Sequence, residues 1–390
     1  MKSPVLKKSL CFLFALLLVS GIFLAQGEQI ISAATVRKQT VKSSVLQQGK
    51  QFTLVNMPFN GESSIISQFD DEPLTVNTLQ NFDYTPDGKY VFTIGECNTG
   101  NKKHGLLTRC SLPSKKGANA KSKCLEAVVL EKFGHSDVLA VTQDNLKKQV
   151  YNIWVSCKPG ADGVGRQIAR LTYQVNKAGK GKITKTVYIN GFEKTNVTNG
   201  KAGFYEDKVK AEWVHCAVDA RSNQIVFRLK LPAGYSCVYL SYNLKNINKA
   251  LNALKNKATF NIGSKPKWQN ARIVCGLSPL CSFQSFDVAG KSLYLAGGNF
   301  GLGAEIYVIN YKTYKDGKVN ELNVKKKSQL SEIVSIDNVI KVDDALYNKN
   351  YLEIEGLKVE KKNGKTNCYI SFNCSGPSLR DTIAVYKFIE

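Results

Sequence analysis

The sequence has few of the residues that metal centres and hydrolytic active sites need. It holds only three histidines in 390 residues and no Cys-x-x-Cys pair, so the usual ligand spacing of a zinc site is missing. Gly-x-Ser-x-Gly and His-Glu-x-x-His motifs are absent too. Gly364-Lys365-Thr366 resembles the end of a phosphate loop, but Val359 stands where its first glycine belongs. We therefore expect neither a metal nor a cofactor.

Long apolar runs are equally scarce. The only one, residues 10–25, follows a basic start and precedes the small residues 32–34, which offer a cleavage site. This is the layout of a secretory signal peptide, and the run is short for a membrane-spanning helix. An uncleaved anchor is the alternative. We expect residues 1–34 to be removed and the mature protein to be secreted to the extracellular space, with no stable membrane span.

Acidic residues are too few to balance the basic ones. Lys and Arg number 54 against 31 Asp and Glu, which gives a net charge of +23, and +21 after loss of residues 1–34. Such a charge favours anionic surfaces at low salt. No basic run is interleaved with stacking aromatics, so we do not expect a nucleic-acid partner. The cations fall mainly in loops, where they also serve solubility.

The cysteine count fits an oxidising compartment. Of eleven cysteines Cys11 lies in the leader, and the remaining ten form an even set that favours disulfides over zinc ligation. Closeness in sequence or on neighbouring strands suggests three pairs, and Cys97, Cys110, Cys124 and Cys157 would supply two more bridges. The connectivity is left open; the three suggested pairs are Cys275–Cys281, Cys368–Cys374 and Cys216–Cys237.

The sequence does contain a motif that is repeated five times. A polar residue opens a strand, a tight polar turn follows, and an apolar second strand leads into a third, as in QNFDYTPDGKYVFTIGEC from Gln80. The turns carry residues that adopt positive φ in hairpins. Long-period repeats of four-stranded units predict a β-propeller. We expect an all-β, five-bladed β-propeller over residues 67–390, with residues 35–66 as an N-terminal extension or ring-closing strand.

Two local patterns refine this prediction. Alternating polar and β-branched or aromatic residues mark a third strand in every unit, near residues 105–110, 167–173, 237–242, 304–311 and 381–387. Residues 243–255 break the pattern, with Leu244, Ile247, Leu251 and Leu254 at spacings of three and four. That spacing predicts one short amphipathic helix that packs against a blade.

Equivalent polar residues open the first strand of each unit. They lie 55, 80, 69 and 71 positions apart, and first strands of propellers face the central channel. We expect a ligand-binding channel mouth in which an aromatic residue accompanies these polar groups. An alternative is that they only hydrogen-bond one another and line the channel. The candidate site residues are Gln80, His135, His215, Gln284 and Glu355, with Trp213 two residues before His215.

Acidic residues at one equivalent repeat position raise the question of hydrolysis. Asp83, Asp219 and Asp287 each stand just before a hairpin turn, and a turn-initiating role accounts for them. A glycoside hydrolase would need a carboxylate pair a few ångström apart, with Glu355 as one member. We predict no catalytic residues, and a propeller glycosidase is kept as an alternative.

Several segments together resemble one protein family. They are GHSDVLAV from Gly134, GRQIARL from Gly165, HCAVDARSNQIVF from His215 and QSFDV from Gln284, in the order found in the helveticin J family of large bacteriocins. Two features depart from that pattern: the leader with ten mature cysteines, and Val138 and Cys216-Ala217 in place of acidic residues.

The resemblance implies a secreted antibacterial protein that acts on related Gram-positive bacteria. We accordingly expect a cationic, antimicrobial, non-catalytic protein that binds an anionic or glycan component of a bacterial cell envelope. Lys-rich loops would attract the protein to the envelope component, and the channel-mouth residues would recognise it. A secreted lectin-like or adhesion propeller without toxicity is the alternative from another functional class.

Overall fold

A computed structural model of the protein describes residues 47–60, 74–117, 119–192, 197–198, 201–202, 211–232, 237–299, 303–314, 320–336, 340–342, 345–347, 352–374 and 382–389. The expected signal peptide lies outside these ranges. The regular structure within them is predominantly β, with one α-helix, α1 (Leu244–Ala253), and short 3-10 turns at Pro58–Asn60, Ile262–Ser264, Pro266–Trp268, Pro279–Cys281 and Lys327–Gln329.

The strands follow the repeated units of the sequence. In chain order they are β1 (Gln47–Val55), β2 (Leu74–Tyr84), β3 (Tyr90–Thr99), β4 (Lys102–Ser111), β5 (Lys121–Leu130), β6 (Ala140–Thr142), β7 (Val150–Pro159), β8 (Gly165–Val175), β9 (Gly181–Asn190), β10 (Val197–Thr198), β11 (Lys201–Ala202), β12 (Trp213–Asp219), β13 (Gln224–Lys230), β14 (Cys237–Asn243), β15 (Thr259–Asn261), β16 (Gln269–Cys275), β17 (Phe283–Ala289), β18 (Ser292–Asn299), β19 (Gly303–Asn310), β20 (Asn320–Val324), β21 (Glu332–Ile336), β22 (Ile340–Val342), β23 (Ala345–Tyr347), β24 (Leu352–Lys362), β25 (Lys365–Cys374) and β26 (Thr382–Ile389).

Four large sheets carry most of these strands in a propeller-like arrangement. Three of them run β15-β9-β8-β7-β6, β12-β13-β14-β16-β20 and β17-β18-β19-β21. The fourth has eight strands in the order β2-β3-β4-β5-β1-β26-β25-β24, so it joins the first and last repeated units through β1. The strand pairing therefore gives four large sheets where the sequence predicts five units.

The hairpins within the sheets confirm the predicted turn chemistry and third strands. Gly88 and Gly364 lie at φ of 69° and 76°, and Asn223 lies at 58°. Residues with bulky or β-branched side chains are strained at such positive φ angles. Because consecutive strands are joined by such tight turns, each unit is an antiparallel meander. The third strands predicted from alternation are β4, β8, β14, β19 and β26.

The amphipathic helix is also confirmed. Helix α1 begins after Asn243, whose side-chain oxygen accepts a hydrogen bond from the backbone N–H of Asn246 at 3.2 Å. Asparagine is favoured at this position because its oxygen satisfies an N–H that the first helical turn leaves unpaired. Leu244, Ile247 and Leu251 are buried against the sheet of β12, as their spacing predicts. The helix therefore serves packing.

The hydrophobic core lies between sheet faces that pack on one another. One buried cluster joins Trp154 of β7 to Phe227 of β13, and another joins Val226 of β13 to Leu295 of β18. The sheets of β17 and β24 meet through Ile306 and Ile370. Because strand side chains alternate between two faces, a sheet that is buried on both sides needs apolar residues in succession, as the second strands have.

The structure contradicts two of the three suggested disulfides. Cys368 and Cys374 lie six positions apart on the same strand, β25, so their Cα atoms are separated by about 20 Å at roughly 3.3 Å per residue. Cys216 on β12 and Cys237 on β14 are separated by β13, hence by at least about 9–10 Å, and they are also offset along the strands, because Cys216 lies in line with Phe227 and Leu240. A disulfide needs Cα atoms within about 7 Å.

The remaining cysteines differ in what the structure says of them. The side chain of Cys281 lies outside the described residues, so the Cys275–Cys281 pair stays a prediction. Seven cysteines with described side chains form no disulfide in this structure: Cys97, Cys110, Cys124, Cys157, Cys216, Cys237 and Cys275.

Candidate functional site

Histidine 215 lies near the start of β12 in a buried hydrogen-bond network. Its Nε2 lies 2.6 Å from Asp137 Oδ2, and its Nδ1 lies 2.8 Å from a guanidinium nitrogen of Arg228. Because an arginine N–H always donates, Nδ1 is the acceptor, and the proton on Nε2 is donated to Asp137. Burial lowers the pKa of His215, and the neighbouring Arg228 lowers it further, against the opposing effect of Asp137. His215 is thus a neutral, fully engaged side chain.

Histidine 135 is the more exposed of the two predicted histidines. Its Nδ1 lies 2.9 Å from Glu96 Oε2, and 27% of its side chain is exposed. Burial alone would lower the pKa of His135, but the hydrogen bond to Glu96 and the charge of Asp137 raise it. The Trp213 ring lies 6.4 Å from the His135 ring and 4.6 Å from the His215 ring, centroid to centroid. These three predicted residues therefore form one aromatic cluster.

Glutamine 284 and Glu355 are also held by internal partners. Gln284 donates a hydrogen bond to Glu353 at 3.0 Å, and Glu355 accepts one from Asn373 at 2.6 Å. Burial, reinforced by the charge of Glu353, raises the pKa of Glu355 well above its ordinary value. This shift disfavours the ionised carboxylate that a retaining glycosidase uses as its nucleophile.

Glutamine 80 does not occupy the place that the repeat alignment assigns to it. It lies at a register shift in β2, is half-buried, and is followed by the buried Asn81. Asn81 donates to the backbone oxygen of Asp137 at 3.0 Å and to Ser285 Oγ at 3.3 Å. The first unit therefore contributes Asn81 rather than Gln80 to the polar residues between the inner strands, because the bulge shifts the alternation by one residue.

The space among these polar residues is very small. A cavity of about 10 Å³ lies between Asn81, Asp137, His215 and Gln284. That volume holds roughly one water molecule, whereas small-molecule sites have about 300–1,000 Å³. The predicted channel-mouth residues are thus brought close together in part, and their hydrogen bonds go to neighbouring side chains: Asp137, Arg228, Glu96, Glu353 and Asn373.

A much larger funnel opens at the other ends of the same inner strands, beside the hairpin turns. Its volume is about 810 Å³, and apolar residues such as Val141, Val218 and Val288 contribute to its lining. The charged residues that line it are four basic and two acidic ones: Lys116, Arg221, Lys358 and Lys361 against Asp219 and Glu360. We call this cavity the turn-side funnel.

One wall of the turn-side funnel is aromatic and basic. The rings of Tyr84 and Tyr369 meet edge to face with centroids 5.2 Å apart. The Lys116 ammonium lies 5.0 Å from the Tyr84 ring centroid and 5.6 Å from that of Tyr369. Burial lowers the pKa of Lys116, although Glu360 opposes this shift. The wall joins ring faces and a cation, which suits a ligand with both an apolar face and an anionic group.

A buried charge cluster lies beneath this funnel. Lys358 Nζ is 3.3 Å from Asp83 Oδ2 and 3.7 Å from Asp287 Oδ2. Burial raises the pKa of Asp287 to about 7, an effect that Lys358 opposes and Asp83 reinforces. Burial would lower the pKa of Lys358, but the two carboxylates raise it above its ordinary value. The three charges therefore depend on one another.

The turn-initiating role expected for the repeated aspartates is right for only one of the three. Asp219 accepts hydrogen bonds from the backbone of Arg221 and Ser222 within its turn. Asp83 instead accepts from Val141 N at 2.8 Å, and Asp287 accepts from Val359 N at 2.7 Å. These two carboxylates connect inner strands of different units, so their partners lie far away in sequence.

Two features are absent from the described ranges. No group of three or more His, Cys, Asp or Glu side chains is placed there to hold a metal ion. No helix in the same part of the chain is long and apolar enough to span a membrane.

Comparisons with known proteins leave the family open. No protein-family model matches the chain, and no curated protein matches it either. Among solved structures it is similar to Sqt1 from Chaetomium thermophilum, with 9% identity, a TM-score of 0.31, and coverage of 87% of this chain and 75% of that one. The GH32 β-fructofuranosidase of Bombyx mori has 8% identity, a TM-score of 0.39 and coverage of 80% and 61%. Kuenenia stuttgartiensis hydrazine synthase has 8% identity, a TM-score of 0.33 and coverage of 78% and 80%. Likenesses this weak carry no functional argument.

Proposed function

We propose that this protein is a non-catalytic binding protein that takes an anionic glycan or a similar anionic polymer in the turn-side funnel. The observation that carries the proposal is the combination of a cavity of about 810 Å³ with four basic and two acidic lining residues. Cavities of this volume, with an apolar lining and a few convergent polar groups, are the usual form of small-ligand sites. The channel-mouth residues then serve to hold the inner strands together.

The charge of the whole chain supports an anionic ligand. A net charge of +23 attracts polyanions over distances near the Debye length, and the funnel offers cations where such a chain would dock. Arg221 and Lys361 are exposed, whereas Lys358 is occupied by Asp83 and Asp287. Arg221 and Lys361 would therefore make the first ionic contacts, and the tyrosine wall would hold the uncharged part of the ligand.

We further propose that the inner strands belong to five blades. Strand β1 is antiparallel to β26 from Gln47 to Leu54, but it meets β5 in parallel over only Thr53 to Val55. This difference favours β1 as the last strand of the blade of β24–β26. The short parallel contact with β5 would then connect two separate blades. Five separate hydrophobic clusters among the described residues, one for each pair of adjoining units, agree with that count.

The biological setting follows from the resemblance to large bacteriocins. We propose that the mature chain is secreted and that its polymer belongs to the envelope of Gram-positive bacteria, whose growth it inhibits. A lectin-like or adhesion role uses the same funnel without killing. Purified protein added to a panel of Gram-positive cells, with bound protein and survivors counted in parallel, separates the two: binding with killing supports a bacteriocin, and binding alone supports a lectin or adhesin.

A charge-reversal experiment tests the funnel itself. The double variant Arg221→Glu with Lys361→Glu changes two exposed funnel cations, and Lys249→Glu with Lys255→Glu makes the same charge change at exposed positions on or next to α1. With purified wall teichoic acid as the probe, we expect the funnel variant to bind at least tenfold more weakly, about 1.4 kcal/mol. The control should keep most of its affinity. Equal losses in both variants would mean that overall charge, not the funnel, binds the polymer.

A further inference from the structure

Two pairs of cysteines lie directly opposite each other on neighbouring antiparallel strands. Cys110 of β4 faces Cys124 of β5, and Cys237 of β14 faces Cys275 of β16. Residues opposite each other on antiparallel strands have Cα atoms about 4.5–5.5 Å apart and side chains on the same face. Disulfides require Cα separations of about 4.4–6.8 Å. Backbone position therefore permits a bond in both pairs, the first of which stands next to a register shift between Arg109 and Cys110.

We propose that Cys110–Cys124 and Cys237–Cys275 are disulfide bonds in the oxidised protein, each joining two adjacent strands of one sheet. Neither pair is among those suggested by closeness in sequence. Pairing them leaves the hydrophobic surroundings unchanged, since all four side chains lie in or against buried clusters.

The surroundings of the first pair favour its oxidation. The neighbouring Cys110 thiol lowers the pKa of Cys124, although burial opposes this shift. Burial, together with the neighbouring Cys124 thiol, raises the pKa of Cys110 well above its ordinary value. Cys124 is thus the thiol of the pair that more readily becomes the thiolate, which is the attacking species in disulfide exchange.

The second pair borders the network of His215. An Arg228 N–H points at Cys237 Sγ from 3.2 Å, and Arg228 also donates to His215. Cys275 is buried in the cluster between the sheets of β12 and β17. A Cys237–Cys275 bond would join β14 and β16 beside the channel-mouth residues and would restrain that part of the sheet.

The chemistry balances with a disulfide oxidant such as oxidised glutathione or a protein disulfide. The Cys124 thiolate attacks one sulfur of the oxidant, which releases one thiol and leaves a mixed disulfide. The Cys110 thiolate then attacks Cys124 Sγ and releases the second thiol. Two electrons and two protons pass from the chain to the oxidant. The same exchange joins Cys237 and Cys275. Because Cys110, Cys124 and Cys275 are buried, we expect both bonds to form while the chain folds.

Three other cysteines provide internal controls because their cross-strand neighbours are not cysteines. Cys97 faces His104, Cys157 faces Gln167, and Cys216 faces Phe227. No sulfur is within bonding reach across the strand at these places, so we expect them to stay thiols. Cys275 has one competing partner, Cys281, which follows it closely in sequence.

The test is peptide mapping of the full mature chain folded with oxidised glutathione. Free thiols are blocked by alkylation under denaturing conditions, and non-reduced digests are analysed by mass spectrometry. We expect peptides linked through Cys110–Cys124 and Cys237–Cys275, and alkylated Cys97, Cys157 and Cys216. Alkylation of all four proposed residues, or a Cys275–Cys281 link in place of Cys237–Cys275, would overturn the assignment.

A stability measurement adds an independent readout. Reductant should lower the melting temperature of the oxidised wild-type protein. In Cys110→Ala with Cys237→Ala, which keeps the buried positions apolar, the same reductant should have little effect. If the variant does not fold, the wild-type comparison with and without reductant still decides, because an unchanged melting temperature would count against structural disulfides.

Discussion

The buried ammonium of Lys358 offers the sharpest perturbation of the fold beneath the funnel. Its side chain is 15% exposed, and its partners Asp83 and Asp287 are 2% and 5% exposed. Replacing it by methionine keeps the length of the apolar stem but leaves two buried carboxylates without their cation. Breaking a buried pair on one side costs about 3–5 kcal/mol. Each carboxylate keeps two backbone N–H donors, so we expect a loss of about 3 kcal/mol at pH 8.

The pH dependence of this loss distinguishes charge from packing. In the folded protein burial raises the pKa of both Asp83 and Asp287, the latter to about 7. Between the ordinary pKa near 4 and that raised value, the native state holds a proton that the unfolded state has released, so stability falls as pH rises. Without Lys358 the carboxyl groups become protonated more readily still. The cost of Lys358→Met should therefore shrink from pH 8 to pH 5.

Urea unfolding of both proteins at pH 5 and pH 8 measures this difference. The triple variant Lys358→Met, Asp83→Asn, Asp287→Asn is the matched control. It also removes the two carboxylate charges that lose their cation when Lys358 is replaced by methionine. We expect it to recover a large part of the loss at pH 8. A loss below 1 kcal/mol, or one that is equal at both pH values and in the triple variant, would refute the argument from coupled charges.

Two further predictions concern other parts of the molecule. Because the pKa of His135 is raised in the folded protein, its pair with Glu96 should stabilise the fold fully below about pH 6.5. This contribution should be lost as the pH rises through the folded pKa. Histidine NMR titration should show a lower pKa for His135 in the Glu96→Gln variant. In α1, Leu251→Ala should cost about 2–5 kcal/mol by leaving a cavity, while Asn243→Ala should cost about 1 kcal/mol by removing the helix cap, both measured by urea unfolding.

Much of the candidate site escaped prediction because alignment of repeats assumes an unbroken alternation. The register shift in β2 places Asn81, not Gln80, between the inner strands. The turn-side funnel escaped for a different reason. Its wall joins Tyr84, Lys116 and Tyr369 from three distant segments, and no short motif contains them. The sequence signal that relates to it is the placement of the basic residues mainly in loops.

The sequence by itself determined the local structure: the positive-φ turn residues, the alternating strands and the apolar spacing of α1 all depend on contacts between near neighbours. Only the tertiary structure decided which distant groups meet. Lys358 and Asp83 are 275 residues apart, and Asp83 reaches a backbone N–H of another unit, not its own turn. The cross-strand register likewise places Cys110 opposite Cys124 and separates Cys216 from Cys237. Such encounters depend on how whole sheets pack and which strands pair, and neither is encoded within a single repeat.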